Sequence, residues 1–198
     1  MKIACLHTAE SNVAIFDAAR PDGVNLRHAV RPDLLAAAEA EGLTPSLAAA
    51  TAQALGALGD GADAVLLTCS TLGPAAETAG ALRADAALAE AATAAGGTVE
   101  VLCAAPSTLA ATAELFGAAA ARSGARLTIR LVPGAWALFH AGDQAGYSAL
   151  IAREAEASRA GVVALAQASM APAARLTARP VLTCPQAALA AVLAEPRC

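Results

Sequence analysis

Aromatic side chains are scarce: Phe, Tyr and Trp make up 3% of the 198 residues. That is too few for the stacking platforms on which proteins hold single-stranded nucleic acid. Charge is sparse too, at 15% of residues with a net −4, so there is no basic footprint for a phosphate backbone and no nucleic-acid partner is expected. No G-x-G-x-x-G follows a strand, and neither a Walker loop nor a G-x-S-x-G elbow occurs. The signatures of dinucleotide binding, phosphate cradling and the α/β-hydrolase nucleophile are therefore missing. The five cysteines (5, 69, 103, 184 and 198) form no C-x-x-C pair and no metal-spaced set with the three histidines, so no metal centre is expected.

Long apolar runs are also missing. The run after Lys2 covers only Ile3 to Leu6 before His7, too short for a secretory signal. With an odd cysteine count, this points to a reducing cytoplasm. The longest uncharged run, Gly42 to Gly59, is interrupted by Thr44, Pro45, Ser46, Thr51 and Gln53 and is mostly alanine. It reads as a buried helix, not a membrane span.

What is abundant is small and apolar. Hydrophobic residues reach 57%, much of it alanine, which favours helix but contributes little burial per residue. Close helix-on-sheet packing and a homo-oligomeric interface are the expected consequences. Charge is unevenly shared: residues 1–98 carry five basic and eleven acidic side chains, a net −6, and residues 99–198 carry eight and six, a net +2.

The chain is organised around Asp63 to Ala76, DAVLLTCSTLGPAA. Ala64 to Leu67 read as a short buried strand of a parallel sheet. Thr68, Cys69, Ser70 and Thr71 follow, and Gly73-Pro74 opens a helix expected to reach about Ala95. A thiol and three hydroxyls thus meet a helix start, which suits a thiolate of lowered pKa and an anionic ligand. Gly161 to Ala174, GVVALAQASMAPAA, repeats the plan, with Ser169 lying 99 residues after Ser70. Lys2 to Thr8 and Glu100 to Pro106 align with Cys5 over Cys103, an offset of 98. The two offsets agree within one residue, as one half-chain plan used twice requires.

Between these anchors, strands alternate with helices. Strands are expected at 2–8, 24–30, 63–68, 100–105, 126–132, 162–167 and 180–183. Helices are expected after Pro32, Pro45, Pro74, Thr108 and Pro185 and over 135–141 and 143–159, with a polar turn at Glu10-Ser11-Asn12. The fold class is α/β, with two pseudo-symmetric, doubly wound parallel-sheet lobes and the site in the cleft between them. Residues 1–98 with 184–198 form the expected first lobe, and 99–183 the second.

Cys69 is the leading catalytic candidate. Ser70 and Thr71 can hold a carboxylate or cap the following helix. Ser11, Asn12, Ser107 and Thr108 close the corresponding first-strand turns of the two lobes, and Ser107 or Thr108 also suits the cap of the next helix. Ser169 belongs to the echo turn. Cys184, after the last strand, is a possible further member. Cys5, Cys103, His7 and His140 read as core residues, and Cys198 as an uninvolved chain end.

At these residues the chain resembles the aspartate/glutamate/hydantoin racemase superfamily. The resemblance rests on TCST after the central strand, APST after the half-chain strand, the echo turn QASM, and PGAWALFHAGD between them. It implies two pseudo-symmetric lobes, no cofactor, and paired cysteines, one per lobe, facing each other across the carbon beside a carboxylate. Cys69 corresponds to the first-lobe cysteine, with Ser70, Thr71 and Thr108 at substrate-binding positions. Glu10 and Ser11 fall where the family often has Asp-Ser. The second cysteine is replaced by Ala168, and a methyl group cannot move a proton. The resemblance thus implies a cofactor-free racemase- or isomerase-type enzyme, or a decarboxylase-like lyase, acting on a small carboxylate through Cys69 without two-base racemisation. The alternative is a catalytically degenerate carboxylate-binding protein of the same fold.

Overall fold

The computed structural model describes residues 1–194; Cys198 and the last residues of the expected first lobe lie outside the described residues. Two four-stranded sheets, each wholly parallel, repeat one topology. The first contains β1 (Lys2–His7), β2 (Asn25–Val30), β3 (Ala64–Leu67) and β4 (Leu82–Arg83), in the order β2-β1-β3-β4. The second contains β5 (Thr98–Cys103), β6 (Arg126–Leu131), β7 (Val162–Leu165) and β8 (Leu182–Thr183), in the order β6-β5-β7-β8. Registers repeat with the order: Ile3 lies beside Ala64 in one sheet and Val99 beside Val162 in the other.

The connecting helices are α1 (Ser11–Ala19), α2 (Pro32–Glu41), α3 (Pro45–Leu58), α4 (Ala75–Thr78), α5 (Ala84–Thr93), α6 (Leu109–Ser123), α7 (Ala135–His140), α8 (Gln144–Glu156) and α9 (Cys184–Ala194). Pro32 and Pro45 occupy first-turn positions of α2 and α3, and Thr44 caps α3 by accepting from Leu47 N–H at 3.2 Å. Among the described residues no helix is long and apolar enough to cross a membrane.

Strand alternation sorts the core into three layers. Ile3 and Cys5 point into a cluster that also takes Val101 and Cys103 from the second sheet, so the two lobes share one central core. Phe16 of α1, Leu88 of α5, Phe116 of α6 and Leu189 of α9 fill it. Leu6, on the opposite face of β1, packs outward with Leu34, Leu55 and Leu67, and Leu102 does the same with Tyr147, Ile151 and Leu165. The helices that follow the last strand of each sheet, α5 and α9, pack against each other. Burial of this shared layer fixes how the two sets of strand ends face one another.

Several elements differ from the sequence expectation. The polar turn at 10–12 is the entry to α1, whose first residue is Ser11. The single helix expected from Pro74 is three elements: α4 ends at Thr78, the chain turns at Gly80 with φ of 61°, β4 follows, and only then does α5 begin. The echo turn continues not into an α-helix but into a 3-10 helix over Ala168–Arg175.

Candidate active site

In each sheet the first strand has its neighbours on both sides, and the connections leave it in opposite directions. That point is a crevice at the carboxyl ends of the strands. The two crevices face each other across one small cavity of about 40 Å³, room for a few water molecules. Thr8 and Asn12 reach it from beyond β1, and Thr68 to Thr71 from beyond β3. The second lobe contributes Ala105 and Thr108 from beyond β5, with Gln167, Ala168 and Ser169 from beyond β7. Leu35 of α2 and Trp136 and Phe139 of α7 complete the lining. No charged side chain is among these lining residues.

Cys69 is buried, 9% exposed. Burial is the largest influence on its thiol and pushes the pKa up. The Thr8 hydroxyl and the backbone N–H groups of Leu72 and Thr71 hydrogen-bond the sulfur and oppose that rise, while the Asp85 carboxylate adds to it. The net displacement is upward, so the lowering expected from a helix start is not realised. Burial outweighs the hydrogen bonds that the turn supplies, and α4 itself has only four residues and begins after Pro74.

That turn is pinned from behind. Arg83 lies on the buried Asp85 with a two-pronged contact, Nε to Oδ1 at 3.1 Å and Nη2 to Oδ2 at 3.0 Å. The guanidinium sits directly against Gly73, where any Cβ would collide with it. Glycine at this position lets the turn approach the ion pair.

The second-lobe wall is a satisfied polar network. The side-chain carbonyl of Gln167 accepts from Ala104 N–H at 2.7 Å, and its amide donates to the Thr108 hydroxyl in a short hydrogen bond. Thr108 donates onward to the Ala105 carbonyl at 2.7 Å and makes no side-chain cap to α6. Ser169 is 2.9 Å from the hydroxyl of Tyr147, whose pKa is raised chiefly by burial. Across the lobes, the Thr71 and Ser107 hydroxyls are 3.3 Å apart. Asn12 is 94% buried and lines the cavity, yet its Oδ1 has no partner.

The residues singled out from sequence fall into two groups. Asn12, Cys69, Ser70, Thr71, Thr108, Ala168 and Ser169 line the common cavity. Ser11 and Glu10 stand at the entry to α1 and Ser107 at the rim, none of them in the lining. Cys184 begins α9 inside the central core, its pKa raised by burial and by Asp85, and it does not line the cavity either.

Thr68 was expected only as one of the hydroxyls of the turn, and Thr8, Gln167 and Tyr147 were not among the expected site residues. Nor were Cys5, His7 and His28, whose ligand-type atoms lie within 4.8 Å of one another. The signal for the last group was Cys5-x-His7, an alternation that puts both side chains on one face of β1.

No protein-family model matches the chain, and no curated protein matches it in sequence. Solved structures do. The aspartate racemase of Picrophilus torridus superposes with a TM-score of 0.76 at 13% identity, covering 97% of this chain and 92% of that one. The allantoin racemase of Pseudomonas fluorescens gives 0.67 at 17% identity, with 98% and 89% covered. A maleate isomerase from Pseudomonas putida S16, its structure determined with maleate, gives 0.54 at 15% identity, with 98% and 90% covered. The chain thus has the two-lobed α/β fold of these racemases and isomerases, the fold that its motifs imply.

Proposed function

We propose that this chain is a cofactor-independent enzyme of the aspartate/glutamate/hydantoin racemase superfamily that acts on a small carboxylate through Cys69. The observation that carries this reading is the composition of the cavity between the lobes. One thiol is ringed by hydroxyl and amide groups of both lobes, and Ala168, which the family resemblance aligns with a second cysteine, lines the cavity from the second lobe.

With no charged lining residue, a carboxylate is held by neutral donors: the Ser70, Thr71, Thr108 and Ser169 hydroxyls, together with backbone N–H groups of the 68–73 turn. Each such charge-assisted hydrogen bond contributes about 1.5–3 kcal/mol. A single carboxylate suits this set better than two, because no cation is present to hold the second. Leu35, Trp136 and Phe139 give the cavity an apolar wall against which the non-polar part of such a substrate packs.

The raised pKa keeps Cys69 a thiol at rest, so its natural part is that of an acid. It delivers its proton to one face of a carbanion or enediolate beside the bound carboxylate and is reloaded afterwards. Ala168 offers nothing on the other face, so the chemistry is one-sided: a decarboxylation or tautomerisation, not a racemisation.

The test is incubation with a panel of malonic half-acids and 2-substituted monocarboxylates in heavy water, followed by NMR of the products. Deuterium on one face of the product carbon, abolished by Cys69→Ala, is expected. Turnover that survives Cys69→Ala sinks the assignment of the thiol. Protection of Cys69 from alkylation by these acids, without any turnover, identifies a binding protein instead.

A further inference from the structure

Cys5 and His7 alternate on β1, and His28 lies beside Cys5 in the register of β2, all on the sheet face covered by α1. Their ligand-type atoms lie close enough together to suggest a metal set, but the rings do not converge. His7 Nε2 and His28 Nδ1 are 2.8 Å apart, the ring centroids are 5.1 Å apart, and the planes are tilted by only 26°. The two nitrogens therefore point at each other along the line of centres. Ligands of a tetrahedral ion point instead at a common third position. Head-to-head nitrogens at hydrogen-bond distance share a proton.

The chain of contacts runs on in both directions. His28 Nε2 is 3.4 Å from Oδ1 of Asp17, a carboxylate 51% exposed on α1. His7 Nδ1 is 2.8 Å from the Thr68 hydroxyl, and Thr68 lines the cavity next to Cys69. Thr68 Oγ1 is also 3.0 Å from the Leu6 carbonyl. A hydroxyl has one hydrogen, so it donates to only one of these acceptors at a time.

Two complete arrangements follow. In the first, Thr68 donates to His7 Nδ1, His7 donates from Nε2 to His28 Nδ1, and His28 donates from Nε2 to Asp17; both rings are neutral. In the second, Thr68 donates to Leu6 and accepts from His7 Nδ1–H, while His7 Nε2 accepts from His28 Nδ1–H. His28 keeps its Nε2 proton on Asp17. The second arrangement holds one proton more, resting as an imidazolium on His28 beside a carboxylate, and the buried His7 stays neutral in both.

We propose that Asp17, His28, His7 and Thr68 form a proton relay between solvent and the cavity, with the two histidines acting through the Thr68 hydroxyl. The balance is closed. A proton arriving at Thr68 Oγ from the cavity releases the hydroxyl proton to His7 Nδ1, and the Nε2 proton of His7 passes to His28 Nδ1. The charge appears next to Asp17, from which solvent removes it. Run backwards, the relay returns one proton to the cavity, the demand left by a thiol that has given its own away. This role rests on reading the cavity as a reaction site. The titratable groups facing His7 are Cys5 from its own strand, His28 from β2 and Asp17 from α1.

Long-range proton–nitrogen NMR of protein carrying nitrogen-15 histidine tests it directly, since only three histidines contribute. The His7 proton is expected to move from Nε2 to Nδ1 when the relay takes up its extra proton in acid. Asp17→Asn, at an exposed position, should shift the midpoint of that swap to lower pH, because the charge that balances the extra proton is gone. Thr68→Val should abolish the swap, and Thr68→Ser should restore it. A His7 that keeps one tautomer throughout the descent in pH overturns the relay, as does stoichiometric zinc binding that removes both imidazole signals. Either result leaves Cys69 turnover untouched as a separate question, so the two readings fail independently.

Discussion

At the scale of single residues, Cys69 and His7 are both displaced by burial, in the directions opposite charges require. Removing the thiolate from water is unfavourable, so the Cys69 pKa rises, and what restrains it is three hydrogen bonds. Alkylation of Cys69 by iodoacetamide at pH 7 should therefore be slower than that of free cysteine, with its pKa of about 8.5, and should climb through a higher midpoint. Thr8→Val removes the side-chain hydrogen bond and should move that midpoint further up. A rate at pH 7 above that of free cysteine would contradict this account of the thiol. His7 moves the other way: burial first, then the neighbouring His28, push it down to about 4 against an ordinary 6.5, with Asp17 partly opposing. Between those values the unfolded chain binds the proton and the folded chain does not, so stability falls as pH drops from about 6.5 to 4. The loss is on the order of 3 kcal/mol. Denaturant melts at pH 7 and pH 4.5 should show it, and His7→Gln should flatten the difference.

At the scale of elements, what was legible followed the strength of the local signals. Pro32, Pro45 and Thr44 announced α2 and α3, and the apolar runs announced β1, β3, β5 and β7, because each is fixed by its own residues. Helix α1 was not legible: Val13, Ile15 and Phe16 are modest helix formers, and Glu10 makes no side-chain cap. Phe16 buried in the shared core is what holds it, and that is a tertiary fact. The two-residue strands β4 and β8 were likewise too short for any period to show, and β4 breaks the long helix expected after Pro74. Of the site, the strand-end hydroxyls and Cys69 could be read, since they sit at turns that topology brings together. Gln167 and Tyr147 could not be assigned partners, because their contacts cross 59 and 22 residues of chain. The turn after β3 carries its own test. Gly73→Ala forces its new methyl onto Arg83, which is held to Asp85 and is unable to swing aside freely. Overpacking of this kind typically costs about 1–3 kcal/mol. A lowered thermal midpoint with altered Cys69 alkylation is expected, and a variant unchanged in both would mean the turn is not pinned as described.

At the scale of the whole molecule, the offsets of 98 and 99 residues become a near two-fold relation between sheets, with the cavity between them. The relation bears on the proposed one-sided chemistry through Ala168. Ala168 is buried and lines the same cavity as Cys69, from the opposite lobe. A proton donor there would address the face of a bound carbon that Cys69 does not reach. Ala168→Cys adds one sulfur to a cavity of about 40 Å³, so the change fits without repacking the echo turn. General acid–base groups contribute about 10²–10⁴-fold, so deuterium entry from the second face should rise by at least about 10² over the unmodified protein. Ala168→Ser is the control: its size is similar, but its hydroxyl is too weakly acidic to exchange protons near neutral pH. Combining Ala168→Cys with Cys69→Ala should reverse the stereochemical outcome, labelling only the face that the parent leaves untouched. If the unmodified protein already labels both faces at comparable rates, a second proton donor exists outside Ala168 and the one-sided account fails.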